Sequence, residues 1–262
     1  MIPRAHITAW RSEAPWKTNE QVEQDLVISR ALISIYSDEY LREHLAFRGG
    51  TALHKLYLAP PVRYSEDIDL VQTQSSPIGP IFDRIKKQLF FLGEPRRIQK
   101  KRNNVLLFRF NSEIPPIVPL RLKVEINCRE HFAVLGVENK TFRMVNRWFT
   151  GEAEITTYHL EELLGSKLRA LYQRKQGRDL FDLWYALTHA KTNHNQIISS
   201  FHRFMKASNA IVTREEFENN LQQKMKDSQF LTDTSALLRT DVLFDYQGAF
   251  KLVMNKLISK LE

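Results

Sequence analysis

"FRGGTALHKLYLAPPVRYSEDIDLVQ", residues 47–72, combines three features that decide the fold. An apolar run ends in Gly49-Gly50, a short helical pattern stops at the prolines of "APP", and Asp67 and Asp69 fall on alternate positions of a strand. Glycines let a backbone approach closely, and the first turn of a helix offers unpaired N–H donors. Strand, glycine pair and helix start therefore suit a phosphate cradle. Tight strand-to-helix turns use the same residues, so the pair alone leaves both readings open. The pattern predicts a strand over "LAFRG" (45–49), a helix over "ALHKLYL" (52–58) capped by Thr51, and a strand over "DIDLV" (67–71).

Ser65, Asp67 and Asp69 lie on one face of this period-2 segment, while Ile68 and Leu70 face a core. Neighbouring carboxylates repel unless a cation sits between them. Such a pair suits Mg²⁺, which takes one or two carboxylates and completes its shell with water and substrate phosphates. The alternative is a solvent-facing acidic strand end. A third carboxylate lies in "LRLKVEIN" (120–127), where Leu120, Leu122, Val124 and Ile126 point one way and Arg121, Lys123, Glu125 and Asn127 the other. If this strand neighbours "DIDLV", Glu125 joins the aspartates in a layout for two-metal phosphoryl or nucleotidyl transfer, with Arg121 and Lys123 able to hold phosphate charge.

Working outward, apolar spacing over residues 18–44 predicts one long helix open to a break near Ser37. "PIFDRIKKQLFFLG" (80–93) is an amphipathic helix ending in glycine, and "NVLLFRFN" (104–111) is a strand. From about Tyr158 onward the patterns are helical. The expected fold is α+β: a small mixed sheet flanked by helices over residues 1–155, then an all-helical part over 156–262.

The composition, 43% hydrophobic and 26% charged, is that of a globular chain. No run approaches the roughly 18–20 apolar residues of a membrane helix, and the N-terminus lacks a secretory layout, which leads to a cytoplasmic expectation. A single cysteine, Cys128, allows no internal disulfide and no cysteine-based zinc site, and is expected to be a small buried apolar residue. The eight histidines show no zinc-binding spacing, and the four tryptophans read as packing residues. The net charge of +8 suggests an anionic partner. "RRIQKKR" (96–102) is followed by Arg109, Arg121, Lys123, Arg129, Arg143 and Arg147. That stretch is either a solvated hairpin edge or a nucleic-acid surface.

A strand ending in Gly-Gly, a helix and then "RYSEDIDL" resembles the nucleotidyltransferase superfamily related to DNA polymerase β. Sixteen residues separate Gly50 from Asp67, a longer spacer than the minimal pattern. The longer form resembles the AbiEii branch, which includes the MenT-type toxins of type IV toxin–antitoxin and abortive-infection systems. "GSKLRALYQRKQGRDLFDLWYAL" (165–187) is similar to that branch's second signature.

The resemblance implies an Mg²⁺-dependent enzyme moving a nucleoside monophosphate from an NTP to an RNA 3′ end, tRNA above all, with a cognate antitoxin as partner and no membrane. Asp67, Asp69 and Glu125 would hold metal. Gly49, Gly50, Thr51 and Ser65 would cradle phosphates, and Arg63 and Lys167 would neutralise them. Arg178, Asp179 and Asp182 would help position the nucleotide. On their own terms, Arg178 and Asp182 are also an i,i+4 ion pair, and Asp179 is also a helix cap following a break at Gly177. Two rivals remain: transfer to a small molecule or protein hydroxyl, and a non-catalytic RNA-binding module.

Overall fold

The computed structural model describes residues 2–99 and 103–261, so the last three residues of "RRIQKKR" lie outside the described residues. The chain divides into two compact units. The first runs to Phe132 and includes Val137–Tyr158; the second joins Ala133–Gly136 to the chain from His159 onward.

The first unit is built on a seven-stranded mixed sheet: β1 (Leu45–Arg48), β2 (Asp67–Gln72), β3 (Arg96–Gln99), β4 (Asn103–Asn111), β5 (Pro119–Asn127), β6 (Val137–Asn146) and β7 (Phe149–Tyr158), in the order β3-β4-β5-β2-β1-β7-β6. Strands β2 and β5 run parallel, while β1 lies antiparallel to β2. The alternating apolar residues seen in the sequence bury one face: Ile68, Leu70, Leu106, Phe108, Leu122, Val124 and Ile126 are all closed to solvent. Hydrophobic burial of this face fixes which side chains face the other way, because a one-residue slip would invert every side chain.

Helix α1 (Arg4–Trp10) precedes the long α2 (Asn19–Tyr36). A capping box starts α2: the Thr18 side chain accepts from the Gln21 amide, and the Gln21 side chain accepts from the Thr18 amide. The expected single helix ends at Ser37, and Asp38 caps a separate α3 (Glu39–His44) through the Leu41 amide. After β1 come α4 (Gly49–Ala52) and a π turn over Leu53–Tyr57; α5 (Ile78–Gln88) follows β2. Arg96–Gln99 of the basic stretch form the edge strand β3, in line with the hairpin-edge reading of that stretch, whereas the β6–β7 hairpin was not expected. β6 alternates mostly exposed charged and polar residues, so an edge strand with little apolar signal reads as a basic stretch. Cys128 is half-buried, not buried, and accepts from the Asn104 amide group at 3.2 Å.

The second unit is helical: α6 (Leu160–Gln173), α7 (Gly177–His189), α8 (His194–Ala207), α9 (Arg214–Lys224), α10 (Ser228–Thr232) and α11 (Tyr246–Lys256). Glu162 of α6 is buried and accepts the Val134 and Leu135 amides at 2.8–2.9 Å, which binds the short 133–136 segment to this unit. No helix among the described residues is long and apolar enough to cross a membrane.

Candidate active site

Strand register assembles the polar face. In the parallel pair of β2 and β5, Asp67 lies opposite Lys123 and Asp69 opposite Glu125; in the antiparallel pair of β1 and β2, Arg48 lies opposite Asp69. Paired residues share a sheet face, so Asp67, Asp69 and Glu125 meet on one surface with Arg48 and Lys123 among them.

The glycine pair answers to these side chains. Gly49 has φ of +84°, a left-handed conformation that L residues avoid. A Cβ there would collide with Asp69 Oδ2 and stand 3.1 Å from its Cβ. At Gly50 an added Cβ would collide with Arg63 Nη2 and stand 3.4 Å from Ser65 Oγ. The pair thus leaves room for a carboxylate and a guanidinium to lie directly on the backbone.

Thr51 does not cap a helix, as α4 begins two residues earlier at Gly49. Its hydroxyl donates to the Asp67 carbonyl at 2.5 Å and lies 2.8 Å from Ser65 Oγ, binding the loop to the start of β2. Ser65 itself precedes β2, against the glycine pair and not within the strand. Arg63 is buried beside it, and its Nη1 donates to the Tyr64 carbonyl at 2.9 Å.

Lys123 occupies the gap between the acids. Its Nζ lies 2.7 Å from Asp67 Oδ2 and 3.0 Å from Glu125 Oε2. Burial works against its charge, but Asp67 and Glu125 outweigh this and raise its pKa. Asp69 is less well served. Burial, then the charge of Asp67, raise its pKa, and Arg48 and Lys123 only partly offset them. Glu125 accepts a short hydrogen bond from the Asn103 side chain, and Arg48 pairs with Glu130 at 2.7 Å.

Among the described residues no three His, Cys, Asp or Glu side chains gather closely enough to ligate one ion as they stand. The chemistry of the donors nonetheless fits Mg²⁺. Asp67 and Asp69 are hard oxygen ligands on adjacent same-face positions, Asp69 lacks a full counter-charge, and one or two carboxylates suffice when substrate phosphates complete the shell.

The second signature folds within the helical unit. Lys167 Nζ lies 3.1 Å from Asp179 Oδ1 and 2.8 Å from Asp182 Oδ2, with all three side chains buried. Arg174 adds two bonds to Asp179, at 2.7 and 2.8 Å. Burial tends to raise the Asp179 pKa, but Lys167 and Arg174 outweigh it and hold the carboxyl below its usual range. Asp179 therefore serves as the hub of an ion-pair cluster, and the expected cap is replaced: Gln176 stands at the N-cap of α7. Arg178 turns away from Asp182 toward Asp233, whose Oδ2 accepts the Arg178 amide at 3.0 Å. Gly177 opens α7 instead of ending α6, and the position takes glycine because a Cβ there would collide with the Phe230 carbonyl.

Sequence reasoning did not single out Arg48, Asn103 or Glu130. Arg48 was the most accessible of these, since it directly precedes the glycines on β1; the other two depend on pairings that no local pattern shows.

The family model for the nucleotidyl transferase AbiEii toxin of type IV toxin–antitoxin systems matches residues 30–250. Among solved structures, the chain is similar to MenT4, a nucleotidyltransferase toxin from Mycobacterium tuberculosis. The two share 16% identity and a TM-score of 0.62, covering 100% of this chain and 91% of that one. It is also similar to a putative nucleotidyltransferase from H. pylori, with 19% identity, a TM-score of 0.53, and 94% and 99% coverage. No curated protein matches the chain. At these identities the solved structures speak for the fold, and the family model for the chain: it belongs to the AbiEii family, the nucleotidyltransferase toxins of type IV toxin–antitoxin systems.

Proposed function

We propose that the chain transfers a nucleoside monophosphate from an NTP to an RNA 3′ end, tRNA above all, with Mg²⁺ held by Asp67, Asp69 and Glu125. The observation that carries this reading is the register that sets Asp69 against Glu125 and Asp67 against Lys123 on one sheet face. A module built only to bind an anion gains nothing from packing three acids there, which argues against the non-catalytic rival.

Bound at the carboxylates, Mg²⁺ would stabilise charge on the transferring phosphoryl group and favour the ionised acceptor oxygen. The residues supply the rest. Glu125 orients the acceptor hydroxyl and receives its proton; the acceptor oxygen bonds to the α-phosphorus, the bond from that phosphorus to the β-phosphate bridge breaks, and pyrophosphate leaves with the bonding electrons. Gly49, Gly50, Thr51 and Ser65 line the approach for the phosphates, with Arg63 and Lys123 supplying positive charge. Lys167, Arg178, Asp179 and Asp182 keep nucleotide-binding roles on the family resemblance alone. Membership of the family also implies an antitoxin partner. The expected cytoplasmic location and the domain boundary near residue 155 belong to this reading too.

Incubation of the protein with total tRNA, Mg²⁺ and each NTP labelled in its α-phosphate, beside an Asp69→Ala control, tests the reading. Label in RNA that disappears in the control supports it and names the donor. Absence of label from every NTP, with the protein folded, transfers the case to small-molecule or protein acceptors.

A further inference from the structure

The polar sheet face continues beyond the carboxylates. Arg109 of β4 lies directly opposite Arg121 of β5 in the antiparallel register, and Lys123 and Glu125 follow Arg121 on the same face. Arg96 of the edge strand β3 joins that face through its pairing with Leu107. All three arginines are exposed, and none has an ion pair or side-chain hydrogen bond among the described residues. Like charges directly opposite one another destabilise a sheet, so an unoffset pair marks a place where an outside anion is favourable.

Arg109 and Arg121 also border a groove of about 620 Å³ at the end of the sheet where β2 and β5 begin, with Phe110, Leu120 and Glu66 bordering it from the other face. The groove has a rigid floor. Gln24 of α2 is buried, and its Nε2 donates to the Arg121 carbonyl at 2.8 Å and to the Glu66 carbonyl at 3.3 Å, fixing the strand entries of β5 and β2 side by side. At about 3.3 Å per residue, Arg121 stands roughly 7 Å from Lys123 and roughly 13 Å from Glu125 along β5. A chain that crosses Arg121 and continues along the polar face would therefore reach the carboxylates within the span of a few nucleotides.

We propose that this groove binds the phosphodiester backbone of the acceptor strand, one guanidinium to a phosphate, and delivers its 3′ end toward Asp67, Asp69 and Glu125. The assignment rests on the reading that the acceptor is RNA. Guanidinium groups suit phosphate because their planar fork makes paired, charge-assisted hydrogen bonds, and because they remain charged at every working pH. A polymer with one charge per residue also explains why the arginines lie in a row on neighbouring strands. Glu66, an exposed acid at the rim, opposes the ligand and sets the edge of the site.

Binding of a fluorescent single-stranded RNA, followed by anisotropy across a salt series, is the test. The Arg109→Gln/Arg121→Gln protein should bind about tenfold or more weakly at 0.1 M salt, and its slope of log affinity against log salt should be shallower by about 1.4, at about 0.7 for each phosphate of a single strand that is no longer neutralised. Its melting temperature should be no lower than the parent's, since two opposed like charges are removed, and Arg109→Gln alone should bind a fluorescent NTP as the parent does. Glu66→Gln should bind the RNA more tightly. Equal affinity and slope in parent and double variant would sink the groove assignment while leaving the RNA reading intact. A parent protein that binds no RNA overturns both, and RNA binding that polyglutamate displaces as well as unlabelled RNA does overturns the groove assignment, since the groove is then a seat for an acidic protein segment.

Discussion

Replacing Lys123 with methionine removes the cation that bridges Asp67 and Glu125, at 2.7 and 3.0 Å, while keeping the length of the stem. The side chains are partly open to solvent, so each bridge is worth nearer the surface figure, up to about 1 kcal/mol, than the value for a closed interior. Two bridges give about 1–2 kcal/mol, which the metal-free protein loses and which any metal must otherwise overcome when it takes the same oxygens. At 1.4 kcal/mol for each tenfold, nucleotide-free protein carrying Lys123→Met should bind Mg²⁺ or Mn²⁺ about tenfold more tightly than the parent. Without metal its melting temperature should fall by about 2–8 °C, and saturating Mg²⁺ should restore most of the difference. Titration calorimetry with the metal alone, and melting curves with and without it, read both effects separately from catalysis. Transfer should slow nonetheless, because the ammonium also faces the phosphates. Unchanged or weaker metal binding by the variant would refute the reasoning, for it would mean that the ammonium and the metal do not compete for these carboxylates.

Three further outcomes follow from the same geometry. Gly49→Ala forces a Cβ against Asp69 Oδ2 and holds an L residue at φ of +84°, so it should cost about 1–2 kcal/mol or more in urea unfolding and abolish transfer; normal activity would show that Asp69 can move at no cost. Asp69→Asn relieves a carboxylate that burial and Asp67 disfavour, so the metal-free protein should melt a few degrees higher while transfer is lost, as checked by calorimetry and the tRNA labelling assay. Asp179→Asn removes a buried hub and should cost about 3 kcal/mol at pH 7. Because Asp179 is held below the usual carboxylate range, its contribution is present above the ordinary aspartate value near pH 4 and is lost as pH falls through its lowered folded value. Urea midpoints measured from pH 7 down to pH 2 should therefore fall less steeply for the asparagine protein.

Much of the site was legible because strands write their faces in the sequence with period two. Glu125 could be assigned to the polar side of its strand from "LRLKVEIN" alone, and Leu122, Val124 and Ile126 on the other side are indeed closed to solvent. That it lies opposite Asp69 could not be read, because register between strands more than fifty residues apart is a property of the whole sheet. Lys167 was legible as an important residue but not for its contacts. Two buried aspartates take its ammonium, one of them from the position expected to cap a helix. Capping signals are local and weak, whereas a buried cation must be paired, and the stronger demand decided where Asp179 went. The β6–β7 hairpin escaped notice for the opposite reason: its outer strand buries little, so it leaves no apolar rhythm to detect.

The length of the spacer between the glycines and the aspartates, which sets this sequence apart from the minimal pattern, has little bearing on how the carboxylates are placed. β1 and β2 are antiparallel neighbours, so the chain between them must leave the sheet and return, and the distance from Gly49 to Asp69 is fixed by the pairing of Arg48 with Asp69. The intervening helix, π turn and loop over residues 49–66 can lengthen without moving either partner, at an entropic cost that grows only with the logarithm of length. Two bonds from Thr51, to the Asp67 carbonyl and toward Ser65, pin the near end of that excursion to its far end. The requirement that the fold imposes is therefore local: a residue without a side chain wherever β1 turns beneath the Asp69 carboxylate. A Thr51→Val protein separates the two influences. If register alone holds the site, it should keep its metal affinity and lose only about 1 kcal/mol of stability; if the hydroxyl clamp holds it, metal affinity should fall as well.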